Sequence, residues 1–262
     1  MSFAITIATL NRKTMLKQVL DAIIATTRRE AEEEGLEIFV TDNNSTDGSA
    51  ELLREYEREG KLKAWCLAQN LGTDIGRNVF WEHCQGKDTI RIDDKVLPLC
   101  DGWLASLKHI AYLHHSLVAV PYDLTVQHLW QVAPALYYVG WNIDQGQGGP
   151  LIFIPAAARD QLGACDELFP EHKYGWTDCL YIERARLLGW NFGFSLRSPV
   201  EFLASADPTR RNSAMDYHHL YLERLRQYRE AERDVFIPVD STLGWNIGQA
   251  LTDPLQTVSA QG

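Results

Sequence analysis

Residues 3–9, FAITIAT, are a run of β-branched and small residues, after which LNRKT breaks the pattern. Met15, Leu16, Val19, Leu20, Ile23 and Ile24 then recur every three or four positions, which predicts strand, loop and helix. The charged stretch RREAEEEG leads into a second strand over 36–41. A second helix follows, capped by Ser45 or Ser49, with Leu52, Leu53 and Tyr56 on its apolar side. Residues 62–67 predict a third strand, TDIGRNVFWEHC a helix, and DTIRID a fourth strand ending in acids. Such alternation over residues 1–110 predicts a parallel sheet, in which ligands collect at the carboxyl ends of the strands.

Beyond residue 110 the pattern is mixed. Residues 117–155 carry aromatic strand-like runs and the loop NIDQGQGGP, and AAARDQLG reads as a short helix. TDCLYIERARLLG is a stronger helix, WNFGFSL a strand, and 213–233 a long charged helix. With no repeat, low-complexity tract or linker, one domain is expected, closing on a loose tail or packed arm over 236–262.

Composition narrows the class. The 262 residues are 45% hydrophobic, enough to bury the core of one large α/β domain. Twenty-five basic against thirty-five acidic side chains give a net charge of -10, which repels polyanions over most of the surface and leaves only a local basic patch to meet one. The cysteines Cys66, Cys84, Cys100, Cys165 and Cys179 form no CxxC pair and no zinc-type spacing, so a reducing cytoplasm is expected. The start MSFAITIATLNRK has no basic leader, and no apolar run approaches 18 residues, so a soluble protein is expected.

Three predicted strand ends carry polar groups: Thr9-Leu10-Asn11-Arg12, Asp42-Asn43-Asn44 and Asp93-Asp94-Lys95. Each alone is ordinary, because Asn and Asp are common in turns. If the strands are parallel neighbours, all three face one crevice.

Four ordered segments, ITIATLNR, VTDNNSTDGS, NLGTDIGRN…IRIDDK and LGACDELFPEHKYGWTDCLYIERARLLGW, resemble the family 2 glycosyltransferases over about residues 3–190. The resemblance implies a GT-A fold: a Rossmann-like, mostly parallel sheet flanked by helices, here with a C-terminal helical extension. It implies a donor half over 1–110 and an acceptor half over 111–235. Asp42 would accept a hydrogen bond from the donor base, a UDP-sugar in this reading, with Thr9, Asn11 and Arg12 near base and ribose. Arg77 would meet the diphosphate, where a planar fork of donors suits phosphate oxygens. Asp93 would stand near the ribose.

The family pattern places a metal-binding acid where this chain has Lys95, and an ammonium cannot ligate a cation. Either Asp94 takes over a Mg²⁺ or Mn²⁺, helped by His218 or His219, or Lys95 itself supplies the positive charge. The fourth segment aligns Thr177 with the first of two family acids and Asp178 with the second, which implies Asp178 as the base of an inverting transfer. Trp176 would stack on a sugar ring or fill the core, Gly148 and Gly149 would let backbone approach the donor sugar or form a flexible turn, and Trp176 and Gly149 are the candidates for acceptor binding.

The implied activity is hexosyl or pentosyl transfer to a hydroxyl. The acceptor is left open among a glycan, a lipid-linked sugar, a small molecule, a protein side chain and a hydroxylated nucleobase. Arg210 and Arg211 would meet an anionic one. Two alternatives stand: a nucleotide-sugar binding module without turnover, for which Lys95 and Thr177 speak, and a sugar nucleotidyltransferase, disfavoured because ATLNRKT lacks glycine.

Overall fold

The computed structural model describes residues 2–120, 129–133, 136–139, 149–166, 177–195, 200–203 and 218–231. Its elements are β1 (Phe3–Thr9), α1 (Lys13–Thr26), α2 (Arg28–Glu33), β2 (Glu37–Asp42), α3 (Ser49–Arg58), β3 (Lys63–Cys66), α4 (Thr73–Asn78), β4 (Asp88–Ile92), β5 (Val96–Pro98) and α5 (Trp103–His114). There follow β6 (Ser116–Val120), β7 (Leu129–Ala133), β8 (Leu136–Val139), β9 (Leu151–Ile154), α6 (Ala156–Leu162), α7 (Thr177–Leu187), β10 (Asn191–Phe194), β11 (Val200–Phe202) and α8 (His218–Ala231).

A nine-stranded sheet runs in the order β3-β2-β1-β4-β9-β6-β10-β8-β7, and β5 pairs with β11 in a small second sheet. β3, β2, β1 and β4 are mutually parallel, and β9 enters antiparallel between β4 and β6. Strands covered on both faces must be apolar on both. Accordingly, Phe3, Ile5 and Ile7 of β1 join one cluster with Leu16, Val19, Leu20 and Ile23 of α1 and with α3 and α5. Ala4 points the other way, toward Phe39 and Phe80. A further cluster lies on β6, β9 and β10, where Leu162 of α6 and Tyr181 of α7 pack with Trp81.

One expectation is corrected. The helix predicted over 73–84 stops at Asn78 and resumes only as a 3-10 turn at Glu82–Cys84. Asn78 is drawn sideways: its amide donates to the Cys165 carbonyl at 3.0 Å and accepts from the Cys165 N–H at 2.8 Å. Beyond it, the adjacent Phe80 and Trp81 enter different clusters. Of the long helix predicted over 213–233 the described residues show His218–Ala231; the rest of that span and 236–262 lie outside them.

Register carries the fold to the site. Thr9 lies opposite Asp42, and Asp42 opposite Cys66. Thr6 lies opposite Arg91, so three residues further along, Thr9 arrives beside Asp94. The strand ends predicted from the sequence therefore share one edge.

Candidate active site at the strand ends

The loops after β1 and β2 are tied to each other. The Asn11 N–H donates to Ser45 Oγ at 2.8 Å, and Asn11 Oδ1 accepts from the Thr46 N–H at 2.7 Å. Asn11 reaches this position in the left-handed region, at φ 52°, which asparagine tolerates better than most residues. Asp47 accepts from the Lys13 N–H at 2.8 Å and from the Ser49 N–H at 3.0 Å, satisfying orphan donors at the starts of α1 and α3 with one carboxylate. Gly48 between them sits at φ 87°, and a Cβ there would come within 2.8 Å of Lys13 Nζ.

Asp42 is 1% exposed. The Ser45 N–H donates to its Oδ2 at 3.1 Å, and the Ser45 hydroxyl donates to Oδ1. Burial pushes its carboxyl above the usual range, against the pull of the Ser45 hydrogen bonds. Behind it, Asn43 Nδ2 donates to the Gly72 carbonyl at 3.1 Å and Thr41 Oγ1 to the Gly76 carbonyl at 2.7 Å, fastening α4 across the ends of β1 and β2. Gly76 permits this contact, since a Cβ would stand 3.0 Å from Asn43 Nδ2.

Asp94 is closed off. Thr9 Oγ1 donates to its Oδ2 at 2.8 Å, and Arg12 Nη1 donates to its Oδ1 at 2.5 Å. Burial raises the Asp94 carboxyl, with Arg12 pulling the other way. Thr9, Arg12 and Asp94 thus form one knot beside Asp42.

The second cluster is ionic. Arg77, on α4, donates from Nη1 to Asp178 Oδ1 at 2.9 Å and from Nη2 to Asp93 Oδ1 at 3.2 Å. Lys95 Nζ lies 3.7 Å from Asp93 Oδ2. Arg91 of β4, unassigned from the sequence, donates from Nη2 to Asp178 Oδ1. Asp178 lies in the first turn of α7, where its negative charge suits the helix dipole. Burial opposes its charge, but Arg77 and Arg91 win and hold its carboxyl below the usual range. For Arg77 burial again opposes charge, and Asp178, Asp93 and Asp74 carry its pKa upward.

Thr177 stands where the family pattern has an acid, and its hydroxyl donates to Asp74 Oδ2 at 2.5 Å. Asp74, one turn before Arg77, is pushed up to about 6 by burial. This bond pins the start of α7 to α4. Arg184 and Gly189, which belong to the same sequence pattern, have structural work: Arg184 Nη1 donates to the Ala164 carbonyl at 2.8 Å, and Gly189 at φ 88° turns the chain out of α7.

Arg91 carried a signal that sequence reasoning passed over. A guanidinium in the wholly buried strand DTIRI needs a buried partner. Asp74 carried none, because an acid in a first helical turn is ordinary.

Other expected residues fall differently. Gly149 is buried against β6, where a Cβ would stand 2.9 Å from Ala119 Cβ, so the close approach it permits is to the sheet rather than to an acceptor. Trp176, Gly148, Arg210 and Arg211 lie outside the described residues, as does the His218 side chain, although His218 begins α8. A cavity of about 600 Å³ is lined by Thr26, Arg28, Glu30 and Asp101 among others, and by no residue of either cluster. Its mixed charges converge on no reacting group.

The metal expectation rests on Asp94, and the described residues do not fit it. Both Asp94 oxygens accept hydrogen bonds, one of them from the Arg12 guanidinium, whose positive charge opposes a divalent ion there. Asp93 already faces Arg77 and Lys95. Among the described residues no group of three histidine, cysteine or acidic side chains is placed to hold a metal. No described helix is long and apolar enough to cross a membrane.

Solved structures share the architecture. The chain superposes on S. aureus TarS in complex with UDP-GlcNAc at a TM-score of 0.62 and 18% identity, covering 81% of this chain and 61% of that one. The mannosyltransferase PcManGT from Pyrobaculum calidifontis, in complex with GDP-Man and Mn²⁺, matches at 0.59 and 18% identity over 95% of this chain and 71% of that one. GalNAc-T7 with UDP, GalNAc and Mn²⁺ matches at 0.66 and 15% identity, over 89% and 50%. The chain thus spans about three fifths of the TarS chain it matches. The fold is GT-A, a mostly parallel central sheet flanked by helices. Residues 4–131 match the model of glycosyl transferase family 2, and over that stretch the resemblance read from the sequence is upheld. No curated protein matches at a significant level.

Proposed function

We propose that the protein is a nucleotide-sugar-dependent glycosyltransferase that inverts the transferred sugar, with UDP-sugars as its donors. The observation that carries the reading is the Arg77 bridge between Asp93, at the end of β4, and Asp178, at the start of α7. It puts a guanidinium and two carboxylates at the strand-end edge that also carries Asp42 and Thr9, which supports Arg77 as the phosphate-binding cation and Asp178 as the base.

In this reading Asp42 accepts from an imide N–H of the donor base while Ser45 holds the carboxylate in place. Asn11 fixes the loop over base and ribose, and the Thr9–Arg12–Asp94 knot sets the floor beneath it. Arg77 donates to the diphosphate oxygens, where two parallel N–H bonds give orientation as well as charge. Asp178 takes the proton of an acceptor hydroxyl. The acceptor oxygen bonds to the anomeric carbon from the face opposite the diphosphate, and the carbon–oxygen bond to phosphate breaks, its electron pair leaving with the nucleotide. Lys95 and Arg77 stabilise that charge as it develops.

A thermal-shift panel of UDP-, GDP-, CDP- and dTDP-sugars, followed by turnover with the stabilising donor, tests the reading. UDP-sugars are expected to raise the melting temperature most. A melting temperature that no nucleotide sugar moves rejects the reading, and stabilisation without transfer or hydrolysis favours the binding module. The acceptor is proposed only as a hydroxyl compound. The five cysteines, none in a disulfide, suit a reducing cytoplasm.

A further inference from the structure

Arg77 is committed twice over. The proposed chemistry needs it on phosphate, yet in the protein alone it is held by two carboxylates. Each of those carboxylates has a second cation: Lys95 lies 3.7 Å from Asp93, and Arg91 donates to Asp178. Arg77 can therefore leave both acids without stranding either as an uncompensated buried charge, the change that penalises breaking most buried pairs.

The two arginines on Asp178 differ in freedom. Arg91 is the next-to-last residue of β4, is 3% exposed, and lies over the Tyr181 ring with 5.6 Å from guanidinium carbon to centroid. Arg77 stands on the six-residue α4 with its side chain 11% exposed. The Asp74–Thr177 bond holds α7 against α4 independently of Arg77.

We propose that Arg91 is the fixed positioning partner of Asp178 and Arg77 its exchangeable one, so that a bound nucleotide diphosphate draws Arg77 away and turns Asp178 from an ion-paired carboxylate into a competent base. The inference rests on the donor-site reading above. A carboxylate held by two guanidinium groups has little affinity for a proton. Replacing one of them with phosphate dianion nearby raises that affinity at the moment an acceptor hydroxyl must be deprotonated. Among the described residues, other titratable groups that interact with Asp178 are Asp74 on α4, Cys165 after α6 and Cys179 on its own helix, while Asp93 lies on the far side of Arg77. Burial pushes both thiols up, so they stay neutral, and the charge of Asp74 reinforces the rise.

The test is a carbon-13 NMR titration of the Asp178 carboxyl in the full chain, with and without saturating UDP or GDP, assigned by its loss in Asp178→Asn. The midpoint is expected to rise when the nucleotide binds. In Arg77→Gln it should already be raised without nucleotide, and UDP affinity should fall on the order of tenfold with the loss of a charge-assisted bond. In Arg91→Lys, donor KM should hold while kcat falls roughly tenfold from misplacement of the base. A midpoint that stays put while calorimetry shows UDP bound overturns the switch and leaves the donor site standing. Absence of UDP and GDP binding overturns both readings. Equal losses of kcat and UDP affinity in Arg91→Lys would reject its positioning role.

Discussion

The two halves of the site are built by different physics. Around Asp42 the contacts are mostly hydrogen bonds between the loops after β1 and β2, made by Asn11, Ser45, Thr46 and Asp47, with one ion pair, Arg12–Asp94, beside them. Around Asp178 they are ion pairs among residues from distant parts of the chain: Arg77 and Asp178 are 101 positions apart, and Arg91 and Asp178 are 87. The first half is a scaffold of separate hydrogen bonds. The second is a mutually dependent set of charges, in which removing one changes the proton affinity of the rest.

Perturbing one member of each half should expose that contrast. The largest effect is expected from Asp178→Asn, which keeps the shape and removes the base. Turnover should fall by about 10³-fold, within the usual range for a general base, with donor affinity retained. Steady-state kinetics beside calorimetry would read both, and unchanged turnover would place the base elsewhere.

Asp74→Asn should act on stability. The folded-state pKa of Asp74, about 6, lies above its unfolded value, so ionising this buried acid costs the native state as pH rises from about 4 toward 6. The variant should therefore be more stable than the wild type at pH 7, by on the order of 2 kcal/mol, with the difference fading below pH 4. Urea unfolding across that range would check the sign. A variant less stable at pH 7 would show that the ionised Asp74 is favoured by Arg77 more than it is penalised by burial.

Asp47→Ala removes an acceptor shared by two helix starts and should cost about 1 kcal/mol, a shift of a few degrees in Tm, with turnover little changed. A loss of turnover like that of Asp178→Asn would erase the distinction between scaffold and charge set. The smallest effect is expected from chelation. With Asp94 held by Arg12 and Thr9, EDTA should change UDP affinity by less than about twofold, whereas an ion bound through a carboxylate and the diphosphate would make binding metal-dependent.

Much of the first half was legible. The polar residues of VTDNNSTDGS mark a loop of unusual hydrogen-bonding capacity, and the three strand ends meet because alternating strands and helices make parallel neighbours. The particular partners were less so. Asp94 was expected on a metal, but register sets it beside Thr9 and within reach of Arg12, and no local pattern encodes register. Gly149 was read as room for a ligand when it is room for Ala119.

The sequence by itself determined the period of each element, the parallel arrangement of the donor half and the chemistry available at its strand ends, because these follow from local spacing and side-chain type. Tertiary structure alone decided which charges face one another: that Arg91 reaches Asp178, that Asp74 receives Thr177, and that Arg77 is shared between two acids. Pairing of buried charges depends on distance through a folded, low-dielectric interior, and separation along the chain carries no measure of that distance.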